Sequence, residues 1–141
     1  MNRSRLANQL RADEGYVDHA YQDSENYWTI GVGRLIDERK GGKISDDEID
    51  YLLQNDIDRA LNQVLREFPW YLDLNDVRQE VVLNMVFNLG LNGFKAFKKA
   101  IAAIARHDFE TASQEMLESK WAGQVGRRAL RLSEAMRTGV F

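Results

Sequence analysis

A chain of 141 residues is sized for one domain, and at this length roughly two-thirds of the surface of the unfolded chain is buried on folding. Its 44% hydrophobic and 29% charged residues, single proline and lack of cysteine exclude a disordered chain, a disulfide scaffold, a cysteine nucleophile and a thiolate metal site. The net charge of −3 is uneven: residues 1–93 carry 10 basic and 17 acidic side chains, residues 94–141 carry 9 basic and 5 acidic ones, so the last third is a basic face for a polyanion or simply a set of solvated helix faces.

The first expected element is a short helix capped by Ser4, with Leu6, Ala7 and Leu10 on one face, ending near Gly15. From Val17 to Val32 the period changes. Tyr21, Tyr27, Trp28, Thr29, Ile30 and Val32 favour strands, and Asp23 to Asn26 are turn formers, so the stretch predicts a β-hairpin with a longer loop. Trp28, Ile30 and Val32 share one face of its second strand, Tyr27 and Thr29 the other. Gly31 and Gly33 permit a bend or a close backbone approach.

Gly41 and Gly42 break the chain. Ser45 and Glu48 then read as a capping box, with Ile44 and Ile49 as a hydrophobic staple and Asp46 and Asp47 at the positive end of the helix dipole. The apolar positions from Ile49 to Leu65 keep helical spacing, and the helix should stop near Glu67, before Pro69. Some 22 residues span roughly 33 Å, the length of a spine joining two lobes. Asn75 caps a run that is apolar nearly all round from Val81 to Phe87, marking a buried central helix that ends at Gly90. Further helices are expected from Phe94 to Arg106, from an Asp108 cap to about Lys120, and from Arg127 to Met136. The fold class is α+β and mostly α: one domain, 1–141, with a hairpin lobe near 14–48, a connecting helix at 46–67, and a helical lobe of 68–141 plus 1–12.

Carboxylates are the catalytic resource this composition offers. Cleaving a glycosidic bond takes one protonated carboxyl to release the leaving oxygen and a second to steady positive charge or activate water. Glu14 at a helix end, Asp23 in the hairpin loop and Thr29 on the second strand supply two carboxyls and a hydroxyl. As bare spacing they are equally surface carboxylates, with Asp23 making an Asx-turn. Two histidines leave little for a metal centre, and no metal or other cofactor is called for.

The surrounding string decides more. DEGYVDHAYQDSENYWTIGVGRLI resembles the catalytic segment of the phage-type lysozymes, the muramidases of glycoside hydrolase family 24, above all the T-even phage members. The resemblance lies in Glu14-Gly15, in Ala20-Tyr21-Gln22-Asp23 and in Thr29-Ile30-Gly31-Val32-Gly33-Arg34. LNMVFNLG (83–90) is similar to the family's central helix, and SKWAGQVGRRA (119–129) to its tryptophan-to-arginine segment. The resemblance implies a lysozyme-like fold and a muramidase in which Glu14 is the general acid and Asp23 and Thr29 hold the attacking water, with inversion. It implies that Arg128 reaches back toward the glutamate and that Leu35 and Phe87 line the sugar groove. Asn84 and Asn88, four residues apart on one helix face, are groove ligands or helix-packing residues. Trp121 reads as core. The acid role calls for partial burial of Glu14 where helix one meets the hairpin.

Two departures stand out. Arg34 takes a position where close relatives often carry an ion-paired histidine. The segment from Ile36 to Lys43 is short, which lowers one cleft wall. The N-terminus lacks the apolar stretch of a signal peptide and no apolar run reaches the ~20 residues of a membrane span. The expectation is a cytoplasmically made monomer that acts on peptidoglycan in the periplasm after release by a separate holin-like membrane partner, with no nucleic acid involved. Two competing readings are a lytic transglycosylase, which runs on a single glutamate, and a helical nucleic-acid-binding module using Arg127, Arg128 and Arg131.

Overall fold

The computed structural model describes residues 1–36 and 43–141. The Gly41-Gly42 break lies outside them, as does most of the short segment that follows Ile36. The chain forms two compact units, Met1–Tyr51 and Leu52–Phe141, with an α+β, mostly helical fold.

In the first unit, helix α1 (Arg3–Glu14) starts earlier than expected. The cap is Asn2, not Ser4: its Oδ1 accepts from the Arg5 amide at 2.9 Å. Asparagine caps at least as well as serine, and Ser4 is taken up into the helix. Gly15, at φ 85°, ends it and returns its N–H to the Arg11 carbonyl. No residue of α1 is buried.

The hairpin forms as read, from β1 (Val17–Gln22) and β2 (Trp28–Gly31), with a register shift between Val17 and Tyr21. A third short strand, β3 (Arg34–Leu35), adds to β2 antiparallel. Two residues carry too little pattern for sequence reasoning to find. Tyr21, Thr29 and Leu35 lie opposite one another across the sheet, so their side chains share a face. Helix α2 (Asp46–Glu67) begins where expected. The Ser45 carbonyl accepts the first helical bond, from Ile49, and Glu48 Oε1 reaches back to the Ser45 amide at 3.1 Å and its hydroxyl at 2.7 Å.

In the second unit the later part of α2 buries Ala60 and Val64 and stops at Glu67, ahead of Pro69. A 3₁₀ turn, Tyr71–Asp73, leads to α3 (Asp76–Lys95), whose cap is Asn75, accepting from the Arg78 amide at 3.0 Å. Val81, Val82, Met85 and Val86 are buried, but Phe87 is 49% exposed. One flank of this central helix is therefore open, which its uniform hydrophobicity did not reveal. Gly90, at φ 74°, breaks the helix as expected, yet the chain resumes a helical course to Lys95. Helix α4 (Lys98–Ala105) accordingly starts later than Phe94.

The α4 end is a Schellman turn: the amides of His107 and Asp108 bond to the carbonyls of Ile104 and Ala103, with His107 at φ 61° where glycine is usual. Asp108 then caps α5 (Phe109–Leu117), accepting from Thr111. The single helix expected up to Lys120 is two: Ser119 caps a separate α6 (Lys120–Val125). Helix α7 (Arg127–Thr138) completes the unit. An aromatic chain runs through its core, with Phe68 against Phe94 at 5.5 Å, Phe94 against Phe97 at 6.4 Å and Phe97 against Trp121 at 6.0 Å between ring centroids. Burial pushes the Tyr71 hydroxyl up to about 12, and it donates to the Gln79 carbonyl.

The end of α7 is closed by side chains from the start of α3. Arg78 donates to the Met136 carbonyl at 2.8 Å and the Arg137 carbonyl at 3.0 Å, and its guanidinium lies 3.6 Å over the Phe109 ring. The Asn75 amide donates to the Gly139 carbonyl at 3.0 Å. Hydrogen bonds from a charged donor each contribute about 1.5–3 kcal/mol. Arg78→Ala should therefore lower unfolding free energy by about 2 kcal/mol or more, with an unchanged m-value in urea denaturation.

Candidate active site

Glu14 is the last residue of α1, beside the point where Gly15 turns the chain into the sheet. Its carboxyl rests on Gly33, in the turn between β2 and β3. A Cβ added at Gly33 would lie 2.8 Å from Glu14 Oε2 and 3.0 Å from Glu14 Cβ, and φ there is +64°. The positive φ favours glycine, and a side chain there would crowd Glu14. The Glu14 side chain itself is exposed. The partial burial expected of it is not observed, because α1 buries nothing and Gly33 contributes no side chain.

Asp23 closes the hairpin loop. Its Oδ1 accepts from the amides of Glu25 and Tyr27, both at 2.9 Å, and its own amide donates to the Tyr27 carbonyl at 2.9 Å. This is the Asx-turn that the sequence offered. One carboxylate oxygen is fixed by backbone, which orients the other. Thr29 is 5% exposed and its hydroxyl donates to the Tyr27 carbonyl at 3.2 Å. Leu35 sits next to it across the sheet and is exposed. The first unit thus carries Glu14, Asp23, Thr29 and Leu35.

Arg34 follows Gly33 and grips Glu48 with two bonds, Nη1 to Oε2 at 3.0 Å and Nη2 to Oε1 at 2.9 Å. Arginine thus forms an ion pair here, in the cationic role. The Ser45 hydroxyl and amide, and then Arg34, hold the Glu48 carboxyl below its ordinary value of 4.5.

The remaining candidates lie in the helical unit. Asn84, Phe87 and Arg128 line a cavity of about 330 Å³ together with Leu53, Ile57, Leu83 and Glu80. Arg128 donates from Nε and Nη2 to Asn84 Oδ1 at 2.9 and 2.7 Å. Asn88 is elsewhere: its Oδ1 accepts from Trp121 Nε1 at 2.9 Å, and Trp121 is 3% exposed, which makes it core as expected. Sequence reading missed Glu80, Leu53, Ile57 and Leu83 as cavity-lining residues. Leu53 and Ile57 belong to the periodic apolar face of α2 and carry only a core signal. No cluster of side chains able to hold a metal occurs among the described residues.

Residues 11–134 match the phage lysozyme family model, a span that includes the Glu14 seat, the Asp23 turn, Thr29 and Arg128. This chain belongs to the phage lysozyme family. It is similar to the probable T4-type lysozyme 1 of Dictyostelium discoideum, 28% identical over 98% of this chain and 96% of the relative. A second Dictyostelium discoideum protein, probable T4-type lysozyme 2, is 27% identical over the same shares. The pre-baseplate central spike protein Gp5 of Enterobacteria phage T4 is 28% identical over 95% of this chain, which spans 28% of that longer protein. The enzyme is thus a T4-like lysozyme, a glycoside hydrolase of peptidoglycan.

Two outcomes follow for this lysozyme. Gly33→Ala places a methyl against Glu14 and strains the backbone, so it should cost about 1–2 kcal/mol and cut lytic activity by about tenfold or more; wild-type activity would show that Gly33 does not seat Glu14. Because the Glu48 carboxyl titrates lower in the folded chain than unfolded, its contribution is present above the ordinary carboxylate range and lost as pH falls through the folded value. The melting-temperature gap between wild type and Glu48→Gln should therefore hold steady above the ordinary carboxylate range and close as pH falls below it.

Proposed function

We propose that the lysozyme hydrolyses the β-1,4 bond between N-acetylmuramic acid and N-acetylglucosamine, with Glu14 as general acid and Asp23 and Thr29 positioning the attacking water. The observation that carries this reading is the seat of Glu14 on Gly33. A glycine at positive φ lets this one carboxyl lie close against the backbone, and that close seat supports it as the working group. Support for the Asp23 role comes from the Asx-turn, which leaves one oxygen free of the backbone bonds that orient it. A water held by Asp23 and Thr29 attacks the face opposite the leaving group, so the reaction inverts the anomeric centre. Leu35 and Phe87 supply apolar walls for sugar rings, and Asn84, Asn88 and Arg128 provide polar contacts or hold such contacts in place.

In this reading the enzyme is an endolysin-type monomer that lyses cells. It is made in the cytoplasm and acts on the wall in the periplasm after release by a separate holin-like membrane partner. No helix among the described residues is long and apolar enough to cross a membrane.

The test is digestion of purified peptidoglycan by the wild type and by Glu14→Gln, with products read by mass spectrometry. Muropeptides with reducing N-acetylmuramic acid ends are expected, falling by at least about 10²-fold in the variant. Anhydro-muramic ends would instead identify a transglycosylase. Proton NMR of the first product formed should show the α-anomer; the β-anomer would mean retention.

A further inference from the structure

Within the helical unit, Arg128 is held from one side by a single residue. Its Nε and Nη2 both donate to Asn84 Oδ1, and Nη2 also reaches the Asn84 carbonyl at 3.3 Å. Arginine has donors only, so the amide atom that faces it is the oxygen. Arg128 is half-buried in the first turn of α7. A side chain this long loses much rotamer freedom when fixed, and two bonds to one oxygen fix both the plane and the direction of the guanidinium. Nη1 makes no hydrogen bond among the described residues.

The oxygen that holds it is neutral. A carboxylate would fit the same fork, and usually does at arginine sites. Glu80, one turn earlier on α3, lines the same cavity, yet makes no ion pair or hydrogen bond to Arg128 among the described residues. The positive charge is therefore oriented without being cancelled.

We propose that Asn84 is a positioning residue for the lysozyme reaction: through a neutral acceptor it fixes Arg128 and keeps its full charge available to an anionic group of the substrate. This rests on the assignment of Arg128 to the working site. It gives Asn84 a task different from that of a sugar ligand, since its oxygen is already engaged. It also explains why asparagine, and not aspartate, serves the arginine.

The test compares Asn84→Asp, Asn84→Ala, Arg128→Ala and the Asn84→Ala/Arg128→Ala double variant. Initial rates on purified peptidoglycan and melting temperatures are measured for each. Asn84→Asp should fold with a melting temperature at or above that of the wild type, because it gains an ion pair, yet lose about tenfold in rate because the charge is cancelled. Asn84→Ala should lose a similar factor, and should add nothing once Arg128 is absent. Wild-type rates in Asn84→Asp would reduce Asn84 to a structural tie and overturn the proposal, even if Asn84→Ala failed to fold. A loss in Asn84→Ala that persists unchanged on the Arg128→Ala background would overturn it too. Wild-type activity in Arg128→Ala would instead remove Arg128 from the site, and the failure would then lie in that assignment.

Discussion

The helical unit depends on how α3 holds α7. Near the start of α3, Asn75 and Arg78 bond the last carbonyls of α7 at Met136, Arg137 and Gly139. Further along, Asn84 bonds Arg128 at the beginning of α7. As α3 advances its partners recede, so the two helices run antiparallel and are tied at both ends. A helix end leaves carbonyls without intrahelical partners. Here a cation meets them, which is favourable at the negative end of the helix dipole. The same ties that satisfy those carbonyls set the register of α7, and with it the place of Arg128. The stability of this unit and the placement of Arg128 are carried by one pair of helices.

The first unit is organised differently. It has little core: α1 buries nothing, and Thr29 is the one buried residue of this unit among those described. Backbone and charge do most of the holding. Gly33 admits the Glu14 carboxyl, the Asp23 side chain closes its own loop, and the Arg34 fork joins β3 to the first turn of α2. In that fork the cation cannot be titrated away in any ordinary range, so only the acid side of the pair responds to pH. A histidine in the same place would add a second transition near neutrality. Arginine removes it.

Much of this was legible because local chemistry dictated it. Asn75, Asp108 and the Ser45 and Glu48 pair announce helix starts by side-chain oxygens in the right place, and Pro69 and Gly90 mark interruptions by backbone restriction. What stayed hidden depended on competition or on distance. Asn2 and Ser4 both cap well, and the outcome is set by where the helix register falls. Ser119 splits α5 from α6 inside a stretch whose apolar period runs on without a break. Strand β3 exists because β2 offers it an edge. Asn84 and Asn88 of α3 share a face, as their spacing requires, but which atoms they meet depends on α6 and α7, more than thirty residues away. The catalytic candidates were legible through the resemblance, and physics alone left Glu14 and Asp23 as ordinary surface acids.

The conformational break at Gly90 separates two kinds of sequence change. Between Asn75 and Asn88, α3 is a ruler: its positions meet Gly139, Met136, Arg128 and Trp121 in turn. Inserting or deleting one residue there would rotate everything beyond it by about 100° and unseat the arginine and the tryptophan together. Past Gly90 the ruler has ended, since the non-helical glycine decouples the rotation of the following turn from what precedes it. Length variation in this family should accordingly collect after the glycine, or outside the helix altogether, and leave the stretch from 75 to 88 at constant length.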